Sequence, residues 1–188
     1  LPLSFDYTLN TVDDEVRSGA YYTINGEGEL LTTGGRPVLP QTTRNFGSQT
    51  DVAHGVLMEG GAFIDEEGFD PLITNIITQQ VTLIGEGFYP SVQLYPKSIA
   101  SINRFPSGGG TLAQRLVVVP AQFQASSPVK PTVGSLRRYT DLELVVYTAP
   151  FNETDFIAPS IWEVEAITTN GTVTFSAQVE DDHSGIYR

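Results

Sequence analysis

The sequence predicts an all-β protein, an antiparallel β-sandwich with an additional C-terminal hairpin. Three observations predict it. No stretch sustains the 3.6-residue apolar period of an amphipathic helix, and β-branched and aromatic residues gather in short runs. Gly, Pro or Asn interrupts nearly every run within about a dozen residues, the spacing of strands in a sandwich or barrel.

In chain order, the candidate strands are Ala20 to Asn25, Ala53 to Glu59, Ile73 to Gly85, Gln93 to Ile102, Leu112 to Gln124 and Tyr139 to Thr148. The strongest is Leu142-Glu143-Leu144-Val145-Val146-Tyr147, fed by the turn glycine Gly134 and the extended Ser135 to Tyr139. It is expected to join Leu116-Val117-Val118-Val119-Pro120 through the loop Ala125 to Val133, with the Val run buried on both faces. Pro128 and Pro131 keep that loop out of a sheet, because proline cannot donate a ladder hydrogen bond.

Residues 1–148 therefore read as the sandwich domain and 149–159, with Pro150, Asn152, Asp155 and Pro159, as a linker. In 160–188, Ile161 to Ile167 and Thr172 to Val179 alternate with period two around Asn170-Gly171, the signature of a type I′ hairpin with one buried face. A third strand after Glu180 is begun and not finished. A segment this short cannot cover its own apolar face, so it packs on the first domain, pairs with another chain, or opens a domain removed by cleavage after Arg188.

Composition bounds the function. With 188 residues, 40% of them hydrophobic, the chain can build one sizeable core or two small ones. Asp and Glu outnumber Lys and Arg by 22 to 10, a net charge of −12, and the cations, eight of them Arg, are spread along the chain. Nucleic acid and anionic membrane surfaces are not expected as partners, since both favour clustered cations. No apolar run approaches the roughly 18 to 20 residues that span a bilayer, which argues against membrane insertion, and no signal segment stands at Leu1. The absence of Cys rules out disulfides, thiolate metal sites and a cysteine nucleophile in this chain. A bias toward Thr, Gly, Tyr, Asn and Gln over Lys fits an extracellular or cell-surface protein.

Several stretches resemble the propeptide-type N-terminal domain of gingipain-like cysteine peptidases and related bacterial surface proteins. Gly34-Gly35-Arg36-Pro37-Val38-Leu39-Pro40 is similar to that family's G-x-P-x-L-P entry. Phe88-Tyr89-Pro90-Ser91, then Arg115 to Phe123, then Gly134 to Leu144 follow its pattern of Y-P, an apolar strand ending in P-x-Q-[YF], and G-x-L-x-x-Y-x-x-L-x-[VL]. The region covered is about residues 15 to 148. The tail, with Asp155 to Pro159 and the segments Gln178 to Asp181 and Ser184 to Ile186, resembles the opening of a bacterial immunoglobulin-like repeat. The resemblance implies a noncatalytic β-sandwich that aids secretion and, in the peptidases, covers the active site. It also implies that a basic residue can occupy the peptidase's specificity pocket; Arg104, in the Gly-rich stretch Asn103 to Gly110, is the nearest candidate.

Other motifs have bland readings. His54 and His183, the only histidines, lack a G-x-S-x-G partner and read as surface or core residues. Asp65-Glu66-Glu67 with Asp70, and Glu180-Asp181-Asp182 with Ser184, read as solvated acidic turns; calcium is conceivable there and not favoured, and no cofactor is expected. Gly26-Glu27-Gly28 and Gly85-Glu86-Gly87 are turns, and Gly108-Gly109-Gly110 is a flexible loop. Asn152-Glu153-Thr154 and Asn170-Gly171-Thr172 are glycosylation sequons.

Interaction is expected at the hairpin, through Ile161, Trp162, Val164, Val173, Phe175 and Val179, with intramolecular packing as the counter-reading. The first functional expectation is a propeptide or secretion-chaperone-like module acting through protein contacts, its partner a separate peptidase chain. The second is a structural subunit of a surface layer or filament, joined to copies of itself through the hairpin and the extended segment Leu1 to Leu9. The third is the light fragment of a processed peptidase.

Overall fold

The computed structural model describes residues 1–13, 15, 18–45, 51–77, 82–83, 93–106, 112–127, 133–150, 160–169 and 171–180. Among these the regular structure is all strand. The chain divides into two units, Leu1–Ala149 and Pro150–Arg188.

The first unit begins with β1 (Pro2–Ser4), β2 (Tyr7–Asp13), β3 (Ser18–Ile24), β4 (Leu30–Leu31), β5 (Leu39–Pro40), β6 (Thr42–Asn45) and β7 (Asp51–Phe69). It continues with β8 (Ile76–Ile77), β9 (Thr82–Leu83), β10 (Ala100–Pro106), β11 (Leu112–Val118), β12 (Ala121–Ala125) and β13 (Gly134–Pro150). One sheet is built on β13, which pairs with β1, β12 and β7; the other runs β10-β11-β6. Pairs β2-β3, β4-β5 and β8-β9 complete the unit.

Alternation along β11 and β13 builds the core between the two sheets. Leu116 and Val118 from β11 pack with Leu142 and Leu144 from β13, joined by Phe5, Ile24 and Tyr139. A second cluster holds Leu39, Phe69, Val119, Ala121, Phe123 and Leu136. Each large aliphatic side chain buried so fully is worth roughly 1.5–3 kcal/mol against leaving it in water. The expected sandwich is therefore present, with several strand boundaries corrected.

Leu112 to Gln124 is two strands in different sheets. Proline at position 120 has no N–H to donate, so the ladder that β11 makes with β10 and β6 stops at Val118 and the chain restarts as β12 against β13. The partner joined to β13 through 126–133 is accordingly β12, and the Val run is not uniformly buried, since Val117 is only half-buried. Within Ile73 to Gly85 the described residues form β8 and β9, which pair antiparallel as Ile76↔Leu83 and Ile77↔Thr82, and 78–81, 84 and 85 lie outside the described residues. Before Ala100, Tyr95 makes an isolated bridge to Phe123, and its peptide bond to Pro96 is cis. The expected strand from Ala53 to Glu59 runs on through Gly60-Gly61 to Phe69. A Cβ on Gly61 would lie 2.6 Å from the Asp141 carbonyl oxygen, so this glycine marks a close approach of β7 to β13 rather than a turn.

Leu1 to Leu9 is not a free arm. β1 pairs with β13 through Pro2↔Glu143, Leu3↔Leu142 and Ser4↔Asp141, and the Leu1 amine donates to the Leu144 carbonyl at 2.7 Å. β2 pairs along its whole length with β3. Residues 151–159, including Asn152, and the expected loop prolines Pro128 and Pro131 lie outside the described residues.

Gly134 opens β13 opposite Ala125, where a Cβ would sit 2.1 Å from the Gln124 carbonyl oxygen and 2.7 Å from the buried ring of Phe123. Neither backbone nor buried ring can yield cheaply. Gly134→Ala is expected to cost about 1–3 kcal/mol in urea unfolding; a variant as stable as the native chain would show that β12 and β13 separate here without penalty.

Candidate functional site

The residues that sequence reasoning marked for contact fall on two hairpins, one in each unit. In the first unit, β10 and β11 run in register from Ala100↔Val118 to Pro106↔Leu112. The sequence placed Arg104 in a Gly-rich stretch; it stands on β10 itself, opposite Gln114, with residues 107–111 outside the described set. Arg104 is exposed and has no ion-pair partner among the described residues.

The strand beneath Arg104 is held from two sides. Gln114 is buried, and its amide takes the place of a strand neighbour for β7: Oε1 accepts the Ala53 N–H and Nε2 donates to the Asp51 carbonyl, both at 2.7 Å. Arg115, next along β11, donates from Nε to Asn45 Oδ1 on β6 at 3.0 Å. Its guanidinium carbon lies 4.8 Å from the centre of the Phe105 ring, a cation–π contact across the hairpin. Phe105 and Arg115 help line an open groove of about 500 Å³ with Asn103, Val117, Thr43, Gln41 and Glu29. Sequence reasoning missed Gln114 and Arg115; the signal was a polar pair interrupting the apolar run of β11.

The acidic stretch Asp65-Glu66-Glu67 is not a turn. It lies inside β7, and neighbouring residues of a strand point to opposite faces. Asp65 receives Arg137 on one face, from Nε at 2.8 Å and Nη2 at 2.9 Å. Glu66 receives the Tyr22 hydroxyl at 2.9 Å and lies 3.6 Å from Arg138 on the other. Two consecutive ion pairs thus bind β7 to β13. Arg138 further stacks over the rings of Tyr22 at 4.1 Å and Tyr7 at 5.5 Å, and Arg137 over Phe63 at 3.9 Å. Burial, and then the hydrogen bond to Glu66, push the Tyr22 hydroxyl above its ordinary range, with Arg138 opposing. The second acidic cluster, Glu180 to Asp182, and His183 lie beyond the described side chains, whereas His54 is an exposed residue of β7. Among the described residues no group of three histidines or carboxylates is placed to hold a metal ion.

The second unit is a hairpin of β14 (Ser160–Thr169) and β15 (Thr172–Glu180), closed as expected through Gly171, whose φ of 79° suits the second position of a type I′ turn. Asn170 lies outside the described residues. A bulge between Trp162 and Glu165 shifts the register, so that Ile161 stands opposite Val179 and Trp162 opposite Gln178. The bulge corrects strict alternation: Ile161, rather than Trp162, falls in phase with Ala166 and Phe175. Val164, Val173 and Phe175 are 67%, 50% and 73% exposed, and Ile167, on the opposite face, is exposed as well.

With both hairpins placed, the fold can be compared with solved ones. It is similar to a chain in the complex of the pro- and mature domains of RgpB from Porphyromonas gingivalis, over 81% of this chain and 78% of that one, at 20% identity and a TM-score of 0.57. It is also similar to a chain from the structure addressing the zymogenic latency of gingipain K from the same organism, over 78% of this chain and 84% of that one, at 13% identity and a TM-score of 0.55. The fold is of the gingipain propeptide type. No family model matches the sequence, and no curated protein matches it.

The hydrogen bonds from Arg137 hold the Asp65 carboxyl below its ordinary range, against a smaller opposing effect of burial. A carboxylate whose folded pKa is depressed stabilises the fold above its unfolded value of about 3.9, and the stabilisation disappears as pH falls through the folded value. Asp65→Asn is therefore expected to lower stability at neutral pH by roughly 0.2–1 kcal/mol, the scale of a partly exposed pair. Urea unfolding across the acid range checks it: the gap between variant and native chain should close below about pH 4, and a gap that persists in strong acid would locate the effect elsewhere.

Proposed function

We propose that this chain is a noncatalytic, propeptide-like module of the extracellular space or cell surface that acts by binding a peptidase through the β10–β11 hairpin. The observation that carries the proposal is the position of Arg104. It stands exposed on β10, which pairs along its length with β11, the strand clamped to β6 and β7, on a fold shared with chains from gingipain structures. A basic side chain on a rigid strand loses little further freedom on entering a pocket, which favours binding. Cysteine-peptidase chemistry by the chain itself is not part of the reading, because it has no Cys to serve as nucleophile.

A second reading rests on the exposure of Val164, Val173 and Phe175. An apolar hairpin face of this kind supports association of the chain with copies of itself in a surface layer or filament. Light scattering on the intact chain separates the two, since a monomer at micromolar concentration would remove self-assembly.

The test of the first reading titrates the chain against the mature domain of RgpB, with hydrolysis of a fluorogenic peptide as the readout. Saturable inhibition is expected, and Arg104→Gln should weaken it roughly 30-fold or more, the loss of one hot-spot side chain of about 2 kcal/mol. Inhibition of equal strength by the Arg104→Gln variant would remove Arg104 from the contact, and no inhibition at micromolar concentration would count against the reading as a whole.

A further inference from the structure

The groove on the outer face of β6, β11 and β10 holds a cation that no carboxylate among the described residues neutralises. Arg115 is exposed on its floor, and among the described residues no carboxylate pairs with it. That is unusual company for a chain of net charge −12, in which Arg44, Arg137 and Arg138 each have a carboxylate partner. The guanidinium is also preorganised: its Nε donates to Asn45, and its plane is steadied against Phe105. Among the described residues nothing engages the Nη groups, which form a donor fork for an incoming carboxylate.

The rest of the lining fits a peptide. Asn103, Gln41 and Thr43 offer carboxamide and hydroxyl groups of both hydrogen-bonding senses, which suit the N–H and C=O of a main chain. Glu29 is the one carboxylate in the lining among the described residues, and it is engaged by the Thr43 hydroxyl. At about 500 Å³ the groove lies within the roughly 300–1,000 Å³ of sites that enclose small ligands.

We infer that this groove is a docking site for a short acidic peptide segment of a partner protein, whose carboxylate is received by Arg115. The inference deepens the proposed function by adding a contact on the same hairpin as Arg104. It is separable from that reading because Arg104 does not line the groove. The charge of the groove is set by Arg115 and Glu29, so removing either changes affinity in opposite directions.

The experiment uses the intact 188-residue chain, isotopically labelled, and follows the Arg115 Nε–Hε resonance by NMR. The probes are acetyl-Gly-Glu-Gly-Glu-Gly amide, its Gln counterpart, and sodium acetate. A saturable shift with the Glu peptide at millimolar concentration is expected, at least about tenfold weaker with the Gln peptide, as for loss of a hydrogen bond between charged groups. For each variant, the backbone amides of Asn103 and Thr43 report binding. Arg115→Gln should abolish it, Glu29→Gln should tighten it, and Arg104→Gln, outside the lining, should weaken it far less than Arg115→Gln does, whether or not the chain inhibits a peptidase. Equal binding of the Glu and Gln peptides would overturn the inference. So would acetate binding as tightly as the peptide, or weaker binding on Glu29→Gln, a variant that keeps the proposal testable even if Arg115→Gln fails to fold.

Discussion

The hydroxyl of Tyr7 closes the point at which the chain changes sheet. Pro120 ends the ladder of one sheet, and its carbonyl must find donors as the backbone turns toward the other. It receives the Tyr139 N–H at 3.0 Å and the Tyr7 hydroxyl at 2.9 Å. The same hydroxyl lies 2.6 Å from the Tyr139 carbonyl, so one proton serves two acceptors on the two strands that meet there. Burial pushes the Tyr7 hydroxyl well above its ordinary range, against a weaker pull from Arg138, and the donor stays protonated throughout the neutral and mildly alkaline range. The hydroxyl thus adds a second donor to the Pro120 carbonyl and reaches the Tyr139 carbonyl as well, which ties β2 to the junction between β11 and β12.

From that junction the constraints run outward to the contact surface. Arg138 lies over the rings of Tyr7 and Tyr22, and Tyr22 stacks on Phe69 with ring centres 5.9 Å apart. Glu66 brings β7 into the same group, while Asp65 and Arg137 tie β7 to β13 on the opposite face. Since β7 is in turn clipped to β11 by Gln114, the β10–β11 hairpin is fixed to the β13 sheet through side chains as well as through the shared core. Rigidity at this hairpin therefore arises far from it in sequence.

What the sequence made legible follows from local physics. The alternation of Leu142 and Leu144, the apolar character of Leu116 and Val118 and the hairpin that closes at Gly171 each depend on a few neighbouring residues, and each is found where expected. The sheet switch at Pro120 was hidden because apolar residues continue on both sides, Val119 and Ala121 both being buried, so only the missing N–H distinguishes the break. Asp65-Glu66 seemed a solvated turn because its partners lie 72 residues away. Yet two like charges in succession on a strand must face opposite sides, and Arg137-Arg138 has the same form, so the two dipeptides are complementary as soon as both are read as strand. The bulge at Trp162 to Glu165 was concealed by an apolar residue at each phase of the alternation.

Charge gives the hairpin its distinct character. In an excess of acid, a cation paired with a neighbouring carboxylate is invisible beyond roughly 8–10 Å at physiological salt. Arg44, Arg137 and Arg138 are all paired in this way, so their faces present the chain's net negative field. Arg104 and Arg115 lie on adjoining strands and opposite faces of one hairpin, without such partners among the described residues, and the hairpin is fixed to both sheets. Repulsion of acidic groups elsewhere and attraction here act together, so the same charge distribution that limits nonspecific association would orient an acidic partner of the proposed kind toward the β10–β11 hairpin.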